Sequence, residues 1–294
     1  MFNKSSELKI KAPAKINLYL HLVGKKDNGY HLLESLVAFT DLGDWITLKT
    51  SSDLVFEVDG PFKEKIPHTD DNLVMRAAKT LAEFAQRKLG AHIHLYKDLP
   101  PASGIGGGSS DAAATLLGLN KFWELDYPLS VLQNLALPLG SDIPVCLQRQ
   151  TSLIKGIGDH ITVLPPLPPV SLLLVNPGVQ VPTQNVYQKR EGSFTPSTSW
   201  NNNHQTVDQL VGQLSHFHND LEPPATLIAP IIQDVLKAIG NFKGCLLQRL
   251  SGSGATCWGI FASHEAALHA EKILHTQYPA WWVKATQLKD YAPY

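Results

Sequence analysis

A short run of glycines directly before a helical pattern places the strongest constraint on this chain. Residues 104–108 read Gly-Ile-Gly-Gly-Gly, and apolar residues at helical spacing continue from about Ser109 to Trp123. Glycines leave backbone N–H groups unshielded, and a helix N-terminus adds partial positive charge, so a phosphate group can bind there. The run is not a Walker loop, because no lysine follows it, and the dinucleotide-binding spacing fails at Ser109. Glycine content alone leaves two alternatives, a phosphate cradle of another kind or a flexible turn.

The composition excludes several classes of protein. The 25 Lys and Arg residues nearly balance 26 Asp and Glu residues, so the chain lacks the positive field that holds nucleic acids. With 17% charged and 44% hydrophobic residues, it is typical of a folded protein. No apolar run approaches the roughly 18 residues of a membrane span, residues 1–7 lack the apolar core of a signal peptide, and the cysteines form no CxxC pair. We expect a cytoplasmic globular protein without a nucleic-acid or membrane partner, and the sequence indicates no oligomeric state.

The periodicity of apolar residues predicts strands followed by helices. Predicted strands cover residues 7–23, with a break near Pro13, and residues 45–50, 54–59, 91–96 and 172–175. One predicted helix covers residues 72–89, and a second begins near Ser109. The tail predicts helix, strand, helix and strand over residues 225–239, 245–261, 264–277 and 281–287. Because strands and helices do not alternate regularly, the pattern favours an α+β fold.

Two segments of unusual composition divide the chain. Residues 164–169 read Leu-Pro-Pro-Leu-Pro-Pro, and prolines stiffen a segment and prevent regular structure. We therefore predict one domain over residues 1–163 and a second over residues 164–294. Residues 191–206 are low in apolar content, which predicts a mobile loop.

Three further motifs carry candidate functional side chains. Lys15 and Asn17 share one face of a predicted strand in residues 13–18 (Pro-Ala-Lys-Ile-Asn-Leu), although a lysine there is more often solvated. Asp142, in residues 140–144 (Gly-Ser-Asp-Ile-Pro), is by itself well explained as the cap of a short helix. Residues 250–255 (Leu-Ser-Gly-Ser-Gly-Ala) are consistent with a hairpin or a bulge.

Taken in order, the four motifs resemble those of the GHMP kinases, small-molecule kinases named after galactose, homoserine, mevalonate and phosphomevalonate. The similar blocks lie between about residues 12 and 261. Residues 27–31 (Asp-Asn-Gly-Tyr-His), 106–113 and 181–183 (Val-Pro-Thr) resemble the branch whose substrate carries a cytidine diphosphate handle. The resemblance implies an N-terminal nucleotide-binding domain, a C-terminal ferredoxin-like substrate domain and ATP-dependent phosphorylation of an alcohol.

The resemblance also implies roles for individual residues. Asp142 matches the catalytic Asp, and Lys15 matches the Lys beside it. ATP and Mg²⁺ are the implied cofactors, with Lys97 and Asn72 near the adenosine. The residues implied to surround the ATP phosphates are Pro100, Pro101, Ala102, Ser103, Gly104, Ile105, Gly106, Gly107, Gly108, Ser109 and Ser110.

On the substrate side, the resemblance implies that Tyr30 and Tyr187 sandwich the cytosine while His31 binds its edge. Asn17 and Thr183 would lie nearer the reaction centre. Without the resemblance, an ordinary pair at a strand edge is the favoured explanation of Tyr30 and His31.

Two other functions compete with a kinase for a cytidyl substrate. One is a kinase for another small alcohol, such as homoserine or mevalonate, which would have no nucleobase sandwich. The other is a non-catalytic sensor, which would have no need for both Lys15 and Asp142. His92 and His94 share a strand face but lack a third ligand, so we predict no metal site held by protein groups alone.

Overall fold

One long hairpin forms the centre of the N-terminal half. β1 (Glu7–Lys25) pairs antiparallel with β2 (His31–Lys49) across the turn that residues 27–29 predict. The predicted break at Pro13 is wrong, because β1 continues through it with a bulge between Pro13 and Lys15. The bulge releases the Lys15 N–H from the ladder, and it donates instead to the Ile105 carbonyl at 2.9 Å.

The computed structural model describes residues 7–67, 69 and 71–292, and within these the strands form two sheets. Residues 1–6, where no signal peptide is expected, lie outside the described residues. The remaining strands are β3 (Leu54–Asp59), β4 (Ala91–Tyr96), β5 (Ser152–Gly156), β6 (His160–Val163), β7 (Ser171–Asn176), β8 (Cys245–Leu250), β9 (Cys257–Phe261) and β10 (Trp282–Gln287). The first sheet has the order β3-β4-β2-β5-β6, with β1 also on β2, and the second has the order β10-β7-β9-β8.

The helices are α1 (Leu73–Phe84), α2 (Gly107–Phe122), α3 (Leu129–Ala136), α4 (Ile143–Gln148), α5 (Thr183–Gln188), α6 (Val207–Leu214), α7 (Glu222–Ile228), α8 (Ile231–Gly240) and α9 (His264–Gln277). Two predictions for the tail were too coarse. The helix over 225–239 is two helices, which meet at Pro230, and the strand over 245–261 is the β8–β9 hairpin. The helix predicted to reach residue 89 ends at Phe84, because Gln86 has a left-handed φ of 51°.

Three buried clusters hold these layers together. The first joins the N-terminal sheet to α1 and α2, with Phe39 and Leu116 fully buried. The second joins the C-terminal sheet to α8 and α9. The third lies between the two sheets, where Ile16 of β1 contributes to the same cluster as Leu172 of β7 and Trp258 of β9. Because apolar burial is the main stabilising term, the third cluster holds the two sheets in a fixed relation.

The C-terminal sheet has the topology that the family resemblance implies. Numbered along the chain from β7, its strands lie in the order 4-1-3-2, with helices between the first and second and between the third and fourth. This is the β-α-β-β-α-β arrangement of a ferredoxin-like unit. Among the described residues, no helix combines the length and apolar character needed to cross a bilayer.

Residues 191–206 form neither helix nor strand, but Glu34 ties them to the first sheet. The buried Glu34 carboxylate accepts hydrogen bonds from Ser197 Oγ at 2.7 Å and Thr198 Oγ1 at 2.9 Å. It also pairs with Lys155 Nζ at 2.8 Å. These contacts attach the middle of the segment to the first sheet, and the mobility of the loop stays a prediction.

Glu34→Gln should remove part of the acid sensitivity of folding. Burial favours a higher pKa for Glu34, but hydrogen bonds from Lys155, Ser197 and Thr198 outweigh it and lower the pKa. Because the pKa is lower in the folded state, Glu34 stabilises the fold at pH values above its unfolded-state pKa of about 4.5. This contribution is lost as the pH falls through the folded-state pKa. Urea unfolding at pH 7, 4 and 3 measures the effect. Parallel pH profiles for wild type and Glu34→Gln would contradict it, and Glu7→Gln, at a half-exposed pair with Lys49, is the control.

Candidate active site

A cleft of about 1150 Å³ lies where all four sequence motifs meet. Its walls come from β1, the glycine-rich loop before α2, the segment before α4 and the turn between β8 and β9. Side chains of Lys15, Ser109, Asp142, Thr183 and Ser253 line it. Segments more than 200 residues apart in sequence therefore share one cavity, which has the size of an ordinary ligand site or slightly more.

Lys15 and Asp142 form an ion pair in this cleft. Lys15 Nζ lies 2.9 Å from Asp142 Oδ2 and 3.1 Å from Asn17 Oδ1. The Lys15 side chain is 5% exposed, whereas that of Asp142 is 44% exposed and accessible to a ligand. Asp142 occupies the cap position of α4, but its side chain makes no capping hydrogen bond. This geometry decides against the capping explanation and places a lysine against an accessible carboxylate.

The glycine-rich loop requires glycine at two positions. Gly104 has φ +80° and Gly106 has φ +63°, a region that favours glycine. A Cβ on Gly104 would lie 2.4 Å from the Ser251 carbonyl oxygen, and one on Gly106 would lie 3.1 Å from Lys15 Cβ. The loop therefore packs closely against both β1 and the β8–β9 turn.

The structure divides the predicted phosphate-binding residues. Those that line the cleft are Ala102, Ser103, Gly104, Gly106, Gly107, Gly108 and Ser109. Pro100, Pro101, Ile105 and Ser110 are outside the lining. Ser110 is buried and its hydroxyl donates to the Pro13 carbonyl at 2.7 Å, so its contact with the phosphates stays a prediction.

The two residues predicted near adenosine both make contacts within the protein. Lys97 is 1% exposed, and its ammonium group lies 2.5 Å from Asp44 and 2.6 Å from Asp111. Asn72 caps α1, because its Oδ1 accepts from the Val74 N–H and its Nδ2 donates to the Pro67 carbonyl. Neither residue lines the cleft, and their expected positions near adenosine stay predictions.

The predicted substrate residues nearest Asp142 are held by the β8–β9 turn. Thr183 Oγ1 lies 2.8 Å from Ser253 Oγ. Asn17 N–H donates to Ser251 Oγ at 3.2 Å, and the same hydroxyl donates to the Gly104 carbonyl at 2.9 Å. Ser251 thus joins β1 to the glycine-rich loop. The sequence of residues 250–255 indicated only a turn there.

Family models match two parts of this chain. Residues 72–150 match the GHMP kinases N-terminal domain, and residues 201–280 match the GHMP kinases C-terminal region. The 4-diphosphocytidyl-2-C-methyl-D-erythritol kinase of Paramagnetospirillum magneticum is 44% identical over 279 residues, which are 95% of this chain and 98% of that protein. The chain belongs to the GHMP kinase family.

Other GHMP kinases agree with this assignment. The Rhodospirillum rubrum protein of the same name is 42% identical over 277 residues, covering 94% of this chain and 91% of that protein. A crystal structure of 4-(cytidine 5'-diphospho)-2C-methyl-D-erythritol kinase matches with a TM-score of 0.80 and 29% identity, covering 97% of this chain and 100% of that chain. Homoserine kinase from Cytophaga hutchinsonii, at 18% identity and TM-score 0.71 over 99% of this chain and 96% of that chain, shares the fold. The predicted α+β GHMP kinase fold is confirmed, and the protein is an ATP-dependent small-molecule kinase.

At the other end of the GHMP kinase cleft, aromatic rings gather around His31. The ring centroids of His31 and Tyr187 are 5.2 Å apart, and Phe194 lies 6.2 Å from His31. Tyr30 is 63% exposed and lines the same cleft. Burial, with a smaller contribution from the charge of Asp142, raises the pKa of Tyr187 to about 12. Both predicted stacking residues and the predicted edge reader therefore share one end of the cleft.

Sequence reasoning missed two cations at this end. Lys25 and Arg190 line the cleft beside His31. Burial, followed by these two charges, lowers the pKa of His31, so its imidazole is neutral at neutral pH and can both donate and accept. No motif pointed to Lys25 or Arg190, because isolated basic residues carry no spacing signal.

Proposed function

We propose that this kinase transfers the γ-phosphoryl group of ATP to the 2-hydroxyl of 4-diphosphocytidyl-2-C-methyl-D-erythritol. The products are the 2-phosphate and ADP, in the non-mevalonate route to isoprenoid precursors. The observation that carries the proposal is the Lys15–Asp142 pair, which lies between the glycine-rich loop and the aromatic end of one cleft. One cleft thus offers a site for phosphates, a base and a site for a planar ring.

Asp142 acts as the general base in this proposal. A sugar-alcohol hydroxyl is a poor nucleophile at neutral pH, so a carboxylate within hydrogen-bond reach assists by accepting its proton. The hydroxyl oxygen forms a bond to the γ-phosphorus as the bond from that phosphorus to the bridging oxygen breaks. Lys15 Nζ lies 2.9 Å from the Asp142 carboxylate and offsets charge on the transferring phosphoryl group.

The glycine-rich loop and the start of α2 bind the phosphates. The exposed backbone around Gly108 and the N-terminus of α2 supply N–H donors and partial positive charge. Ser109, in the first turn of α2, lines the cleft, and its hydroxyl fits Mg²⁺ as one oxygen ligand beside ATP phosphates. When bound, Mg²⁺ would neutralise charge on the β- and γ-phosphates.

The aromatic end binds the cytidine handle. Tyr30 and Tyr187 provide ring faces, and neutral His31 provides a donor and an acceptor for the cytosine edge. Asn17 and Thr183 hold the part of the substrate nearest Asp142. Binding energy from the remote handle can orient the reacting hydroxyl.

The residue ranges and location follow from the same proposal. We divide the chain into a catalytic domain over residues 1–163 and a substrate domain over residues 164–294, a division supported by β6 ending at Val163 and β7 beginning at Ser171. A kinase that consumes ATP and a small-molecule substrate is expected in the cytoplasm.

A coupled assay of ADP release tests the proposed function. We expect turnover with the cytidyl substrate and at least about a hundredfold lower kcat/KM with homoserine or mevalonate, since sites built around polar groups discriminate strongly. Equal or better turnover of homoserine or mevalonate would identify a kinase for another alcohol. ATP binding without turnover of any substrate would identify a sensor.

Variants at the aromatic end test substrate specificity. Tyr187→Ala should weaken binding of the cytidyl substrate about tenfold to a hundredfold, because base stacking contributes about 1–3 kcal/mol. Cytosine and uracil exchange donors and acceptors at the edge that His31 is proposed to bind. His31→Ala should therefore mainly reduce the ratio of affinities for cytidyl and uridyl analogues. Titration of both ligands measures this, with unchanged ATP affinity as the control. Lost ATP affinity with intact cytidyl binding would show that the two ends of the cleft are exchanged.

A further inference from the structure

A buried cluster of three charged residues lies directly beneath the phosphate loop. Lys97 Nζ is within 2.6 Å of carboxylate oxygens of both Asp44 and Asp111, and all three side chains are at most 4% exposed. The cluster joins Asp44 of β2 and Lys97, the residue after β4, to Asp111 of α2. A Cβ on Gly107, the first residue of α2, would lie 3.1 Å from Lys97 Nζ. The ammonium group therefore lies close to Gly107 at the start of α2.

Asp44 also holds the entry to the loop. Its Oδ1 accepts from the backbone N–H groups of Asp98 at 2.6 Å and Leu99 at 2.8 Å, while its Oδ2 accepts from Lys97. Asp111 holds the exit, because it lies in the second turn of α2 and accepts from the same ammonium group. Both ends of the segment between Leu99 and Gly107 are thus attached to one lysine.

The arrangement is costly for stability alone. Two buried carboxylates share one ammonium group, and Asp111 Oδ1 has no hydrogen-bond partner among the described residues. Burial, and then repulsion from Asp44, raises the pKa of Asp111 well above its usual range despite the attraction of Lys97. Apolar side chains of similar volume often stabilise a core as well as a buried ion pair does. The cluster is therefore better explained by the geometry that it imposes on the loop.

We propose that Lys97, Asp44 and Asp111 are positioning residues that set the shape of the phosphate loop for ATP. The proposal rests on the proposed function in one respect only, that the loop binds ATP. Hydrogen bonds weaken steeply outside their preferred distances and angles, so displacement of phosphate-binding N–H groups by about 1 Å weakens the binding of phosphate. The cluster thus contributes to ATP binding without touching the nucleotide.

Asp111→Ala separates positioning from general stability. It removes the carboxylate that links α2 to Lys97 and leaves the charge-balanced Lys97–Asp44 pair, so the protein is expected to fold. We expect the Kd of a non-hydrolysable ATP analogue to rise about ten- to a hundredfold, with unchanged affinity for the cytidyl substrate. Asp111→Asn, which keeps an oxygen acceptor for Lys97, should recover most of the loss. If Asp111→Ala does not fold, the double variant Lys97→Met/Asp111→Asn is used instead. It removes one positive and one negative charge, so the formal net charge of the cluster is unchanged and lies on Asp44.

Asn120→Ala is the matched control, because it removes two hydrogen bonds to Tyr127 at the other end of the same helix. It should lower the unfolding temperature without changing the Kd of the ATP analogue. Wild-type ATP affinity in a folded variant that lacks the Asp111–Lys97 ion pair overturns the proposal. Equal weakening of both ligands also overturns it, since that result shows general destabilisation. Absence of turnover in the wild type would instead count against the proposed function, because the binding measurement does not depend on turnover.

Discussion

Replacement of Asp142 by Asn should lower kcat by about 10²–10⁴ while the fold and ATP affinity are retained. Asn preserves the size of the side chain but cannot accept the proton of the substrate hydroxyl. Asp142 makes no capping hydrogen bond, so the change removes no contact that α4 needs. Steady-state ADP release, with the unfolding temperature and the Kd for ATP measured on the same samples, tests this expectation.

Asp234→Asn is the matched control for Asp142→Asn. Asp234 is an exposed carboxylate in the first turn of α8, so its loss changes a helix terminus without touching the cleft. Lys15→Met should also lower kcat, and the double variant with Asp142→Asn should lose less than the sum of both effects, because the residues act as a unit. Near wild-type turnover of Asp142→Asn would eliminate Asp142 as the base.

Gly104→Ala should damage the phosphate loop even though it adds only a methyl group. At φ +80° an L-residue costs about 1–2 kcal/mol. The methyl group would also lie 2.4 Å from the Ser251 carbonyl oxygen and 2.8 Å from the Gly254 nitrogen, and such overpacking costs about 1–3 kcal/mol more. We expect a lower free energy of unfolding and an increase of more than about tenfold in the Kd for ATP.

Gly178→Ala separates backbone strain from steric contact. Gly178 has φ +79°, almost the value at Gly104, but the nearest atom to its added Cβ lies 3.8 Å away. We expect a loss of about 1–2 kcal/mol in the free energy of unfolding and no change in ATP affinity. If Gly104→Ala behaved like Gly178→Ala in denaturant titration and in ATP titration, close packing of the loop against the β8–β9 turn would not contribute to ATP binding.

The sequence predicted well wherever one short segment determines its own chemistry. The glycines at 104–108 before a helix, the strand over Ala91–Tyr96 and the helix over His264–Gln277 are all present. Local periodicity and backbone freedom determine such features. Boundaries failed where a contact from elsewhere decides them: β1 passes through Pro13 because a bulge lets the Lys15 N–H bond to Ile105.

Individual roles were harder to predict, because charge burial depends on the whole fold. The resemblance implied only that Lys97 lies near the adenosine, and nothing in the sequence indicated that two carboxylates from β2 and α2 hold its ammonium group in the core. A lysine at the position of Lys15 is more often solvated, but Lys15 is buried against Asp142, which lies 127 residues further along the chain. A lysine in a sequence carries no mark of which carboxylate will face it.

By itself, therefore, the sequence determined which residues can do chemistry and that the chain folds as α+β. Those properties are local, since glycine, lysine and aspartate have the same donors, charges and allowed dihedrals in any fold. Only the tertiary structure decided that Asp142 pairs with Lys15 rather than caps α4, that Ser110 turns away to Pro13, and that Ser251 joins β1 to the glycine-rich loop. These outcomes depend on distances across two packed sheets, and no spacing along the chain encodes such a distance.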